Sequence, residues 1–71
     1  MKNAQDKNLL NFGVKLAQER IRNNLSAYEL SLRLGKDASY IHKVENGKIN
    51  ISLRVILQIC ETLQIDPKIL F

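Results

Sequence analysis

Apolar residues recur at helical spacing over almost the whole length of this chain of 71 residues. From Leu9 onward they follow a period of three to four residues, which predicts a first helix that ends near Asn23 or Asn24. Asparagine is second only to glycine in adopting the left-handed conformation that ends a helix. Residues 1–8 are polar and lack this period, so we expect a flexible lead-in before a single domain over residues 9–71.

Residues 25–48 predict two short helices joined by a glycine turn. Ser26 is placed to cap the first of these helices, and Glu29, three residues later, completes a capping box. Gly35 ends the helix, because glycine adopts a left-handed conformation without steric cost.

The second helix of this segment is expected over residues 38–46, with Asp37 as its N-cap and Gly47 as its stop. Its apolar residues, Ile41 and Val44, face the interior. The opposite face carries Ser39, His42, Lys43 and Asn46. Two helices separated by a short turn with glycine form a helix-turn-helix, and such a polar face suits the base edges of a DNA major groove. An ordinary solvated helix face is the alternative.

The last part of the chain predicts a further helix over residues 53–64. Its core stripe is expected to be Leu53, Ile56, Leu57, Cys60 and Leu63. Val55 and Ile59 fall on the flank of that stripe, which leaves apolar surface exposed. Asp66 is expected to cap a last short helix with Pro67 at its first position. The predicted fold is all-α, with five helices packed compactly around one core.

Composition and charge narrow the class of protein. Apolar residues make up 45% and charged residues 25%, which is typical of a folded domain and excludes a disordered chain. At 71 residues the core is small, so the domain must be compact. The net charge of +4 favours an anionic partner, and both nucleic acid and an anionic membrane fit that charge. Residues 1–8 contain Lys2 and Lys7, so a basic arm that contacts DNA is the alternative to a flexible lead-in.

Catalytic and metal chemistry lack candidate residues. Cys60 is the single cysteine, and its place on an apolar stripe predicts a buried structural thiol. His42 is the single histidine, so there is neither a His/Cys metal cluster nor a nucleophile with an adjacent base. No apolar stretch approaches the ~18 residues of a membrane span, and no signal-peptide core is present. We therefore expect a cytoplasmic protein that is not an enzyme and that takes no cofactor and no small-molecule ligand.

Several runs of residues resemble one known family. They are FGVKLAQERI, LSAYEL, SYIHKVENGK and SLRVILQICETLQIDPKIL. Together with Gly35 they are similar to the Cro/phage-repressor-type helix-turn-helix family over roughly residues 9–71, and the ENGK ending at its spacing from Ser26 and Gly35 is a specific signal. The resemblance implies a small standalone transcriptional regulator that binds double-stranded DNA sequence-specifically, is expected to act as a repressor, and reads the major groove with the helix over residues 38–46.

The resemblance also suggests which residues contact DNA. Those expected to face bases are Ala38, Ser39, Tyr40, His42 and Lys43. Lys43 is the strongest candidate, because a lysine can donate to guanine O6 and N7. Those expected to contact phosphates, and so to position the protein, are Ser26, Tyr28, Lys36, Asn46, Lys48, Asn50 and Arg54.

In this family an arginine near the end of the first helix pairs with the glutamate of the ENG-like segment, which implies a structural ion pair between Arg20 and Glu45. Glu45 lies close to the inner face of its helix, where a carboxylate needs a partner, and the two-pronged guanidinium suits it. Two departures from the family pattern affect packing. Ser31 replaces the usual alanine between the motif helices, and Glu19 stands at a position that is often apolar.

The resemblance further implies a two-fold homodimer that forms through the helices after the motif. Its two recognition helices would then lie ~34 Å apart, one turn of DNA. The expected interface residues are Val55, Ile59, Ile65 and Phe71. The same apolar set supports a rival function, a protein-interaction module of this fold that holds a regulatory protein partner, as an antitoxin-like or regulator-binding protein does. DNA binding would weaken steeply with salt, whereas an apolar interface would not.

Overall fold

Four α-helices follow one another in the computed structural model, which describes the backbone of residues 3–71 and the side chains of residues 7–71. Their bounds are α1 (Asn3–Arg22), α2 (Ala27–Arg33), α3 (Tyr40–Glu45) and α4 (Leu53–Leu63). The fifth expected helix is a single 3₁₀ turn, Pro67–Leu70, where Asp66 Oδ1 accepts a hydrogen bond from Lys68 N at 3.0 Å. Such short segments are typically 3₁₀ rather than α. The described chain is thus all-helical, with four α-helices in place of five.

The first helix starts earlier than its apolar pattern. It begins at Asn3, ahead of the periodicity that starts at Leu9. The flexibility expected of residues 1–8 stays a prediction, and Lys2 of the suggested basic arm lies outside the described residues. The end of α1 follows the prediction, because Asn24 adopts a left-handed conformation with φ of 58°.

The boundaries of the helix-turn-helix carry the predicted signals. Ser26 Oγ accepts a hydrogen bond from Glu29 N at 2.9 Å, and Ser26 N donates to Glu29 Oε1 at 2.9 Å, so the capping box at the start of α2 is complete. The backbone N–H and the hydroxyl of Ser26 hold the pKa of the Glu29 carboxyl below its usual value. Gly35 and Gly47, with φ of 73° and 69°, follow α2 and α3 in the left-handed conformation expected of them.

The second motif helix, α3, is shorter than the predicted helix over residues 38–46. Ala38 and Ser39 form a turn in which Tyr40 N donates to Asp37 O at 3.0 Å, so the helix begins only at Tyr40. Asp37 is therefore not the N-cap of α3: that position falls on Ser39, whose side chain makes no capping bond, and Asp37 Oδ2 accepts from Ser39 N at 3.1 Å in the turn before the helix. The i to i+3 bond tightens the backbone there, which delays the first α-helical turn.

One hydrophobic core joins the helices. Its buried members are Leu16, Leu30, Ile41, Val44, Val55, Ile59, Cys60, Leu63 and Leu70. Every helix and the 3₁₀ turn contribute to it, which explains how so short a chain forms a single core. Cys60 is buried as predicted, and burial is the main reason that the pKa of its thiol is raised.

The fourth helix, α4, buries a different face from the predicted one. Val55 and Ile59, expected on the flank, are 7% and 0% exposed, whereas Leu53 and Leu57, expected in the core, are 67% and 46% exposed. Apolar residues occupy a broad arc of this helix, so their spacing does not decide which part of the arc faces inward. The neighbouring elements decide it, and they leave the leucine pair at the surface.

The first helix passes very close to the end of α3 at Gly13. This glycine is buried, and an added Cβ would lie 2.8 Å from Glu45 Cα, a separation that real Cβ atoms do not show. Arg20 follows roughly two helical turns later on the same side of α1. The close approach therefore brings the backbone of α1 within reach of the Glu45 side chain.

Candidate nucleic-acid interface

A buried hydroxyl links the two helices of the motif. Ser31 of α2 is 0% exposed, and its Oγ donates to Ala27 O at 2.8 Å and accepts from Ile41 N at 2.9 Å. The second bond satisfies an amide in the first turn of α3, where a helix has no partner of its own for its N–H groups. An alanine here would leave that amide without this partner. Ser31 thus holds the start of α3 against α2.

The ion pair predicted between Arg20 and Glu45 is present. Arg20 Nε donates to Glu45 Oε2 at 2.7 Å and Nη2 donates to Oε1 at 3.0 Å, a bidentate arrangement. The hydrogen bond with Glu45 is the main reason that the pKa of Arg20 is raised above its usual value, although partial burial opposes it. Nη1 donates to Leu25 O at 2.8 Å. One guanidinium therefore ties together α1, the α1–α2 connection and the last residue of α3.

The residues predicted to contact bases differ in exposure. The exposed ones are Ala38, His42 and Lys43. Ser39 and Tyr40 are half-buried. Tyr40 packs against the core, burial raises the pKa of its hydroxyl, and Lys36 Nζ lies 5.3 Å from the centre of its ring. Tyr40 therefore helps to pack α3 and holds Lys36 by a cation–π contact.

The hydroxyl of Ser39 is engaged within the protein. It donates to Asp37 Oδ2, the same oxygen that accepts from Ser39 N. The hydroxyl bond is the main reason that the pKa of Asp37 is lowered, and the positive charge of Lys43 adds to the effect. Asp37 is consequently ionised at neutral pH and can only accept hydrogen bonds.

The residues predicted to contact phosphates, apart from the half-buried Lys36, are exposed. They are Ser26, Tyr28, Asn46, Lys48, Asn50 and Arg54. Internal bonds limit what two of them offer. Ser26 Oγ accepts from Glu29 N within the capping box, and Asn46 Nδ2 already donates to His42 O at 2.7 Å. The exposed cations of the set can each neutralise a phosphate.

Half of the predicted dimer interface is not at the surface. Val55 and Ile59 belong to the core, so assigning them to an interface is wrong. Ile65 is half-buried. Phe71 is 67% exposed, and its ring centre lies 5.7 Å from that of Phe12, so it already packs on α1.

A different apolar surface is available on α4. Leu53 and Leu57 line a shallow cleft together with Ile65 and Pro67. The two leucines are one turn apart, which makes them a continuous exposed strip. This strip, rather than the predicted pair, is the apolar surface that the core leaves uncovered on this helix.

Two absences concern only the part of the chain that the structure describes. No group of three or more His, Cys, Asp or Glu side chains there is arranged to hold a metal ion. No helix there has the length and apolar character needed to cross a membrane.

Sequence reasoning missed three contacts that shape this region, and each had a weak signal. A serine inside a helix commonly bonds the carbonyl four residues earlier, as Ser31 does. An aspartate two residues before a serine has the spacing of an Asx turn, as in Asp37 and Ser39. A glycine inside a helical pattern often has a packing reason, as Gly13 has beside Glu45.

A helix-turn-helix family model matches residues 16–70, a stretch that contains α2, α3, α4 and the 3₁₀ turn. The chain therefore belongs to the Cro/phage-repressor-type helix-turn-helix family. Among solved structures, it is similar to the restriction-modification controller protein C.AhdI from Aeromonas hydrophila, with 40% sequence identity and a TM-score of 0.83. That match covers 89% of this chain and 96% of C.AhdI. A search of curated protein sequences gave no match. Family and fold together make this protein a DNA-binding transcriptional regulator.

Proposed function

We propose that this regulator binds a specific double-stranded DNA site as a homodimer, with α3 in the major groove, and that it represses transcription within a restriction-modification system. The likeness to C.AhdI, a restriction-modification controller protein, supports the choice of system. The observation that carries the DNA-reading mode is the polar face of α3, where His42 and Lys43 are exposed, with Ala38 exposed in the turn just before this helix. A helix that is held rigidly by its domain presents the same side chains to every DNA site, and sequence preference requires this.

The scaffold behind α3 supports this mode. Ser31 fixes the first turn of α3 through Ile41 N, and Arg20 fixes its last residue, Glu45. Both ends are therefore tied to the other helices of the domain. Side chains on a fixed helix lose less freedom when they meet base edges than side chains on a mobile loop.

Lys43 is the base-reading residue that we propose as the main determinant of affinity for the correct site. It is exposed one turn after Ser39, and its ammonium has donors only, which suits the O6 and N7 acceptors of guanine. The exposed Lys48 and Arg54 follow α3 and would contact phosphates without reading sequence.

Fluorescence anisotropy with the DNA immediately upstream of the coding region, across a salt series, tests the proposal. We expect the unchanged chain to bind tightly, with an affinity that falls steeply as salt rises. Lys43→Ala should weaken the free energy of binding to the specific site by about 1–3 kcal/mol. The affinity for that site should then be closer to the affinity for unrelated DNA. Lys68→Ala removes an equal charge from the exposed 3₁₀ turn and is the matched control, which should bind as the unchanged chain does.

If binding is weak and Lys43→Ala does not change it, the result would contradict the proposal and favour the protein-interaction module.

We also propose that this regulator has no catalytic activity and acts in the cytoplasm, where its DNA would be.

The homodimer is proposed to form through Leu53 and Leu57. These two side chains are 67% and 46% exposed on one strip of α4, and burying such apolar surface stabilises an interface. Ile65 and Pro67 extend the strip along the adjoining cleft. An isologous contact through this strip pairs the same residues of both copies.

A further inference from the structure

The hydrogen bond from Ser39 to Asp37 limits what Ser39 can do at a DNA surface. A serine hydroxyl has one proton and two acceptor lone pairs. Here the proton is directed to Asp37 Oδ2, a carboxylate oxygen that has no proton of its own to offer. Towards any third group, the Ser39 oxygen is therefore an acceptor.

We infer that Ser39 selects an amino base, adenine or cytosine, at one position of the DNA site, and that Asp37 is the positioning residue that enforces this choice. The inference rests on the proposed function, because it requires α3 to enter the major groove. There adenine N6 and cytosine N4 are donors, whereas guanine O6 and thymine O4 are acceptors. Exchanging the two strands of the contacted base pair therefore puts an acceptor opposite the Ser39 oxygen.

Two contacts keep the hydroxyl in this role. A hydrogen bond to an ionised carboxylate is roughly twice as strong as one between neutral groups, so turning the proton toward a keto base gives up a strong bond for a weaker one. The same Oδ2 also accepts from Ser39 N at 3.1 Å, which holds the carboxylate beside the serine. If the Ser39 hydroxyl turned from Asp37 to a keto base, the negative charge of Asp37 would also lie close to the keto oxygen, which is unfavourable.

Lys43 complements this choice. Its backbone N donates to Ser39 O at 3.1 Å, so Lys43 lies inside α3, one turn after Ser39 at the N-cap position of that helix. Its side chain has donors only and suits the keto group of guanine, whereas the Ser39 oxygen suits an amino group. The two residues thus read opposite kinds of group on neighbouring parts of the site.

The test begins with a site selected by the unchanged protein from a pool of randomised duplexes. Anisotropy titrations then compare sets of four duplexes that differ at a single base pair, for each position of the site. We expect one position at which adenine or cytosine binds about 3- to 10-fold more tightly than guanine or thymine, the ordinary net effect of one hydrogen bond.

Three variants test whether Ser39 and Asp37 cause that preference. Ser39→Ala should abolish it at that position and leave the other positions unchanged. Asp37→Ala should broaden it, because the hydroxyl proton becomes available to guanine or thymine, whereas Asp37→Asn should keep it, because the amide oxygen still accepts that proton. Thr62→Ala is the control, since it removes a hydroxyl that bonds Gln58 O at 2.9 Å on α4 and should change no base preference.

The outcomes separate the inference from the proposed function. If the unchanged protein selects a site but Ser39→Ala alters no position, or removes a preference for guanine or thymine, the inference is wrong and the DNA-reading function stands. If Asp37→Ala retains the full amino-base preference, Asp37 has no positioning role and the inference is overturned. If no site is selected at all, the proposed function fails together with the inference.

Discussion

A single guanidinium connects three parts of this small domain. Arg20 uses Nε and Nη2 on Glu45 and Nη1 on the carbonyl of Leu25, and the side chains of the ion pair are only 14% and 11% exposed. The resemblance to the family implied the pairing, and the place of Glu45 on the inner side of its helix supported it, because a carboxylate there needs a partner. The bond to Leu25 was not implied, because it depends on the path of the connection between α1 and α2. Partial burial makes removal of either partner costly.

Arg20→Ala should lower the free energy of unfolding by about 3 kcal/mol, because it leaves Glu45 partly buried without its cation. Arg20→Lys should recover only part of the loss, since a lysine lacks the two-pronged geometry. Urea denaturation of both single variants and of the double variant with Glu45→Ala measures the pair. A coupling energy near zero in that cycle would show that the two residues act independently.

The elements of the domain depend on local signals for their ends and on their neighbours for their orientation. The capping box of Ser26 and Glu29 and the left-handed Gly35 mark α2 from the sequence alone, because each involves residues a few positions apart. The orientation of α4 could not be read in the same way, since its apolar arc is broader than the surface it buries. The relation of α2 to α3 likewise rests on Ser31, whose partner Ile41 lies ten residues away.

Ser31→Ala should destabilise the domain by about 1–3 kcal/mol, because it leaves the buried N–H of Ile41 without its acceptor. Thermal or urea unfolding followed by circular dichroism measures the effect. Thr62→Ala is the matched control, because its hydroxyl makes the same bond to a carbonyl four residues earlier, but at the surface. It should change stability by less than about 0.5 kcal/mol. Equal effects of the two changes would mean that the bond to Ile41 contributes nothing.

At the scale of the whole molecule, nine apolar side chains are buried among the described residues of this chain of 71, and other apolar side chains remain at the surface. Leu53 and Leu57 are the clearest case, because they form one strip on α4 beside a cleft. The interface expected from the sequence used Val55 and Ile59 in their place, and those residues serve the core. The proposed dimer therefore still forms through α4, but through a different face of that helix from the one that the sequence predicted.

Leu57→Lys should convert the protein from a dimer to a monomer, because it places a charge in the centre of the proposed apolar contact. Sedimentation equilibrium over a range of micromolar concentrations distinguishes a monomer of 8.2 kDa from a particle of twice that mass. Val14→Lys is the control, since Val14 is 54% exposed on α1 and lies outside the strip. A monomeric unchanged chain, or a dimer lost only with Val14→Lys, would exclude the strip as the interface.

The sequence by itself determined the helical class, both ends of α2, the left-handed stop after α3, and the family, whose pattern implied the Arg20–Glu45 pair. These follow from residues close together in the chain or from a charge that needs one partner. Only the tertiary structure decided the buried face of α4 and the bridge from Ser31. Each of these depends on where distant segments meet, and an apolar pattern that fits several orientations equally well does not contain that information.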